Sequence, residues 1–183
     1  LDLALVPDIA IGFVAPAERA LAEADQRAFV AGQADVLADR GTNALVVRGS
    51  DGLDEVTIFA DTEVWDATRG GAVHLDSIRL AATGVSEGQA SELKGGTAEL
   101  NAKIARDMFG GATEGPLRAV RDAVVLNTAA ALVAWDAANG IHSDEDITAR
   151  VIAAMPRAAE AIDSGAVLRL LDRWAAVSSE AAR

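Results

Sequence analysis

Two adjacent carboxylates, Asp54 and Glu55, close the run Arg48-Gly49-Ser50-Asp51-Gly52-Leu53-Asp54-Glu55, and they are the residues of this chain best suited to chemistry. Successive side chains on an extended segment point to opposite sides, so two neighbouring acids rarely serve one buried structural partner. A hydrated divalent cation suits them better. Mg²⁺ keeps several waters and takes one or two protein carboxylates beside substrate phosphates. An acidic, solvated surface turn is the other reading of the same pair. On the residues alone, both stand.

Other residue types that carry chemistry have simpler explanations. His74 falls on an expected strand beside Asp76 and reads as a half-exposed strand residue rather than a base. His142 falls between two expected helices and reads as solvated. Trp65, Trp135 and Trp174 are too far apart to read as a ring cage, so core or rim packing is the default. Arg121-Asp122 at a helix start fits local orientation and dipole satisfaction. Asn127 interrupts an apolar helical run, where a hydrogen-bonded buried amide and a ligand contact are the alternatives.

The elements that must position the acids can be read from patterning. Ala44-Leu45-Val46-Val47 is a short apolar run that fits an inner strand over 45–48. Gly49, Asp51 and Gly52 break it, so the acids emerge at its carboxyl end, where open α/β sheets place their ligands. Pro16 to Asp39 has helical spacing and ends before Gly41, a C-cap residue. Residues 56–65 and 72–80 read as extended, with a turn at Asp61 and another at Gly70-Gly71. Residues 82–96 read as a surface loop. Thr97 can cap a helix that stops at Gly110-Gly111. Pro116 to Asn139 leaves almost no polar face and predicts a core helix with Val124, Leu126, Ala130 and Val133 buried. After Asp144, Asp146 to Ala161 predicts a helix that Pro156 kinks or splits. Ala166 to Ala176 predicts a last amphipathic helix with Leu168, Leu171 and Trp174.

Composition bounds the function. The chain has 183 residues, enough for a domain with a sizeable core, and no cysteine, which excludes disulfides and thiolate metal sites. The net charge of −12, with Lys and Arg scattered, argues against nucleic acid as partner. No stretch approaches the ~20 apolar residues of a membrane span, and Leu1 to Val14 lacks the basic leader and cleavage site of a signal peptide. A cytoplasmic protein without membrane partners is expected. A phosphorylated ligand would need metal ions and a few placed cations to offset the acidic charge.

Several blocks fall in a recognisable order. After the Asp51–Glu55 run come Leu93-Lys94-Gly95-Gly96-Thr97-Ala98-Glu99-Leu100-Asn101, Gly115-Pro116, Arg121 to Leu132, and Ala161 to Ala166. Over residues 41–175 the chain resembles the carboxyl-terminal half of the anthranilate phosphoribosyltransferase family, in the class III phosphoribosyltransferase and nucleoside phosphorylase superfamily. Residues 1–16 resemble a separate, earlier family segment, with a junction between Pro16 and about Arg27. The resemblance implies an α/β fold with a small mixed, partly parallel sheet flanked by helices. It implies transfer of a phosphoribosyl group from phosphoribosyl pyrophosphate to anthranilate, with release of pyrophosphate in tryptophan biosynthesis. Asp54 and Glu55 match the family's magnesium block, so the resemblance makes them Mg²⁺ ligands that transfer no proton. Mg²⁺ would spread the charge of the leaving pyrophosphate as C1 of the ribose gains oxocarbenium character.

The family's glycine-rich loop of the type Gly-Thr-Gly-Gly-Asp, its Asn-x-Ser-Thr element and its Lys-His-Gly-Asn element do not occur in this sequence. Its amino-terminal helical domain and the segment with the anthranilate-binding arginine also have no counterpart. Residues 1–183 are therefore expected to form a single, incomplete α/β domain, inactive on its own. The family's homodimer would lack its usual amino-terminal interface. Another superfamily enzyme such as a nucleoside phosphorylase, or a non-catalytic binding relative that has lost the phosphate loop, are the competing functions.

Overall fold

The computed structural model describes residues 9–12 and 23–181. The elements are β1 (Ile9–Gly12), α1 (Glu23–Asp39), β2 (Asn43–Gly49), β3 (Thr62–Asp66), β4 (His74–Ile78), α2 (Ala98–Phe109), α3 (Pro116–Ala138), α4 (Ile147–Asp163) and α5 (Ala166–Ala181). The expected start of the first helix at Pro16 lies outside the described residues, as does most of the junction before Arg27. The sheet is ordered β1-β2-β3-β4. β2, β3 and β4 pair antiparallel, with Val46 opposite Trp65 and Trp65 opposite Leu75, and β1 lies alongside β2 in parallel register.

β2 holds the two layers together. Its side chains alternate between faces. Leu45 and Val47 join Leu126, Ala129, Ala130 and Val133 of α3 in one cluster. Val46 joins Val30 and Ala34 of α1 and Trp65 of β3 in another. A strand covered on both sides has no use for a polar position, which is why Ala44 to Val47 read as an unbroken apolar run and are all fully buried.

α3 lies across the sheet face with α4 beside it. Ala119, Val125, Leu126, Ala129, Ala130, Val133, Ala134 and Ala137 are its buried residues, at the spacing of one broad helical stripe. Val124, expected in the core, is half-buried instead. It stands at the edge of the stripe and lines a surface groove, while its neighbour Val125 packs with Met108, Ala158 and Ile162.

The strand expected to start at Val56 begins only at Thr62. Val56, Thr57 and Ile58 are buried without belonging to the sheet. Their backbone is partly satisfied by side chains: Val56 by Asn127, and the Thr57 N–H by Thr62 Oγ1 at 3.1 Å. Residues 50–61 therefore form a long connection between antiparallel β2 and β3, whose pairing resumes with Gly49 opposite Thr62.

Caps explain the remaining boundaries. Thr97 Oγ1 accepts the Leu100 N–H at the start of α2. Asp146 accepts the Ala149 N–H at the start of α4, and Asp76 accepts the Ile147 N–H, so two carboxylates face the positive end of that helix. α4 runs through Pro156 as one element and is not split. α5 continues to Ala181, beyond the expected Ala176. Leu168 and Leu171 are half-buried, and Trp174 is 69% exposed.

Candidate functional site

The acidic run sits at the carboxyl end of β2, on the connection to β3. Three side-chain and backbone interactions shape its first half. Gly49 N–H donates to the Leu53 carbonyl (2.8 Å), Leu53 N–H donates to Asp51 Oδ1 (3.1 Å), and Thr57 Oγ1 donates to Asp51 Oδ2 (2.8 Å). Asp51 thus spends its carboxylate on its own turn. It also lies over Gly49, where an added Cβ would stand 2.2 Å from Asp51 Oδ1, so a side chain at that position would displace the carboxylate from the turn. Gly52 adopts φ +88°, the left-handed conformation that its lack of a side chain permits.

The second half is held from α3. Val56 N–H donates to Asn127 Oδ1 (3.0 Å), and Asn127 Nδ2 donates to the carbonyls of Val56 and Ala123 (both 2.9 Å). Asn127 is the hydrogen-bonded amide of the two alternatives left open by the sequence. Asp54 and Glu55 lie between these anchors and are both half-buried. Burial, then the negative charges of Asp54 and Asp51, push the Glu55 carboxyl above its ordinary range.

A groove of about 400 Å³ opens beside Glu55, walled by Ile104 and Met108 of α2 and by Val120 and Val124 of α3, with Lys94 also on its lining. The donor chemistry fits a hard divalent ion: carboxylate oxygens in a partly desolvated pair whose mutual repulsion a cation would relieve. No group of three or more His, Cys, Asp or Glu side chains with metal-binding arrangement occurs among the described residues. Two carboxylates such as Asp54 and Glu55 could fill only part of an octahedral shell, the rest being left to ligand oxygens and water.

The structure does not gather the other sequence candidates here. His74 is exposed on β4 opposite Asp66, and His142 is exposed in the α3–α4 connection. Trp65 is in the core, while Trp135 is 41% exposed. Arg121 and Asp122 do not pair with each other. Arg121 Nη2 reaches both Asp163 oxygens (2.9 and 3.0 Å), and Asp122 accepts from Arg118 one helical turn away.

One polar constellation went unread in the sequence. Asp66, at the end of β3, is fully buried and accepts from Arg150 Nη1 (2.7 Å), Arg69 Nε (3.1 Å) and both the N–H and hydroxyl of Thr68. Burial raises the Asp66 carboxyl, but the Thr68 hydrogen bonds and the two guanidinium groups outweigh it and leave it below the usual aspartate range. The available signal was a charged residue inside each of two apolar patterns, Val64-Trp65-Asp66 and Ile147 to Val151.

Residues 14–168 match the glycosyl transferase family, a/b domain, and the chain belongs to that family. It is 46% identical over 147 residues to anthranilate phosphoribosyltransferase of Nocardia farcinica, covering 80% of this chain and 41% of that protein. Among solved structures it is similar to anthranilate phosphoribosyltransferase of Thermus thermophilus, with TM-score 0.62 and 28% identity over 81% of this chain and 40% of that one. The Saccharomyces cerevisiae enzyme in complex with PRPP and Mg superposes with TM-score 0.56 and 25% identity, over 72% of this chain and 34% of that one. The chain spans about two-fifths of the length of the curated relatives it matches.

Proposed function

We propose that this chain is the metal-holding part of an anthranilate phosphoribosyltransferase, which transfers the phosphoribosyl group of phosphoribosyl pyrophosphate to anthranilate and releases pyrophosphate. The observation that carries the reading is the Asp54–Glu55 pair, half-buried and anchored on both sides at the carboxyl end of β2. The relatives' names and the PRPP and Mg in the yeast neighbour support the substrate and the metal. Asp54 and Glu55 would hold Mg²⁺ and move no proton. Bound Mg²⁺ would supply charge neutralisation at the departing pyrophosphate. Lys94, on the lining of the groove, adds a positive charge on the same side of the chain as Glu55.

The domain reading belongs to this proposal. On this reading residues 1–183 would belong to one α/β domain that supplies the acids, and the phosphate-loop motifs that the family uses do not occur in them. No helix among the described residues is long and apolar enough to cross a membrane. A cytoplasmic location follows from the proposed biosynthetic role.

Calorimetric titration of the chain with phosphoribosyl pyrophosphate tests the reading, with and without Mg²⁺. Heat of binding that requires both is the expected result. Metal-independent binding, or none at any Mg²⁺ concentration, would overturn it.

A further inference from the structure

Asn127 has no ligand-like geometry, yet its contacts bear on the acid pair. Leu53 and Val56 flank that pair, and both have their N–H and C=O groups bound. Leu53 donates to Asp51 Oδ1 and accepts from Gly49 N–H, while Val56 donates to and accepts from the Asn127 amide. Only Asp54 and Glu55 lie between these two fixed residues. The Val56 N–H shares a peptide plane with the Glu55 carbonyl. Holding that peptide plane restricts ψ of Glu55, and with it the direction in which the Glu55 Cα–Cβ bond leaves the chain.

We infer that Asn127 is a positioning residue that aims Glu55, acting through the Val56 peptide. This inference rests on the proposed metal role of Asp54 and Glu55. Val56 has left the β-ladder and is buried, so its polar groups need a partner that the sheet does not provide. An amide carries a donor and an acceptor on one side chain and can serve both. The third hydrogen bond, to the Ala123 carbonyl one turn back, locks the amide against α3. The rigid core helix thereby sets the loop geometry, as outer partners of metal ligands do in other sites.

The test uses Mn²⁺ as a spectroscopic stand-in for Mg²⁺, with inorganic pyrophosphate present. Free and bound Mn²⁺ are separated by electron paramagnetic resonance. Asn127→Ala is expected to weaken Mn²⁺ binding about tenfold, the lower end of what losing an outer partner costs a metal site. Amide exchange at Val56 should accelerate in the same variant. Val133→Ala removes buried volume from the same helix and should leave Mn²⁺ affinity unchanged. Glu55→Gln separates the two levels of the argument. If Glu55→Gln leaves Mn²⁺ affinity unchanged, the metal role fails and the aiming role falls with it. If Glu55→Gln weakens binding but Asn127→Ala does not, the metal role stands and the positioning role is overturned. A loss in Val133→Ala equal to that in Asn127→Ala would also overturn positioning, because general destabilisation would then explain both.

Discussion

Arg150 and Asp66 meet at 2.7 Å with side chains 7% and 1% exposed, and this pair fastens the end of β3 to α4 across 84 residues of sequence. The second guanidinium arm donates to Thr68 Oγ1 at 2.6 Å, so the planar fork serves two acceptors at once. Arg69 adds a further cation to the same carboxylate and donates to the Glu145 carbonyl ahead of α4.

Arg150→Met leaves the buried Asp66 carboxylate short of its main counter-charge and should cost about 3–5 kcal/mol. Urea unfolding checks this. Changing Asp66 and Thr68 to apolar residues together with Arg150 should cost much less than Arg150→Met alone, because no charge is then stranded. Equal losses would mean that the network adds net stability beyond balancing its own desolvation.

The same carboxylate sets an acid limit. Its folded pKa lies below the unfolded value of ~3.9, held down mainly by the Thr68 hydrogen bonds against the upward push of burial. In the linkage relation, stability from such a group is complete above the unfolded pKa and lost as pH falls through the folded one. Glu55 has the opposite sign, because burial and then Asp54 and Asp51 raise it. Its folded state holds a proton more tightly, so stability declines as pH rises from the unfolded glutamate value of ~4.3 through the folded value. Thermal melts across this range should show the Asp66 loss abolished in Asp66→Asn and the Glu55 decline abolished in Glu55→Gln.

Along α3, sequence spacing and structure part at a single step. Leu126 is fully buried, whereas Val124 lines the groove. Leu126→Ala should cost about 2–5 kcal/mol through lost burial and a cavity, and Val124→Ala distinctly less. Denaturant midpoints of the two variants decide it, and a larger loss at Val124 would contradict the placement.

The difference between these positions shows what the sequence could and could not carry. β2 was legible because a strand covered on both faces must be apolar throughout, and α2 to α5 were legible from their caps and periodicity. Val56 to Ile58 looked like strand because buried β-branched residues suit one. Whether their backbone pairs with a strand or with Asn127, 71 residues away, is a tertiary fact that periodicity does not encode. The acid pair was legible as a type and a spacing. The anchoring of Leu53 and Val56 around it was not, nor was the Asp66–Arg150 pair, whose partners are distant in sequence. The α3 pattern fixed the helix but blurred Val124 and Val125, which differ by one 100° step at the edge of the buried stripe.

The acids themselves give the last prediction, made with the double variant Asp54→Asn, Glu55→Gln. Asp51 and Asn127 hold the loop by contacts that do not involve either carboxylate, so the fold should survive. Without metal, stability should stay within about 0.5 kcal/mol of wild type or rise slightly, as expected where like charges are relieved. Glu55, with its raised carboxyl pKa, is the source of that gain at neutral pH. Adding Mg²⁺ with pyrophosphate should raise the melting temperature of the wild-type chain by mass action on the folded state, and leave the variant unmoved. Mg²⁺ alone should have a weak effect on either protein, because two carboxylates fill only part of an octahedral shell. A variant that keeps the full ligand-dependent shift would show that the acids are a surface turn and that phosphate is held elsewhere.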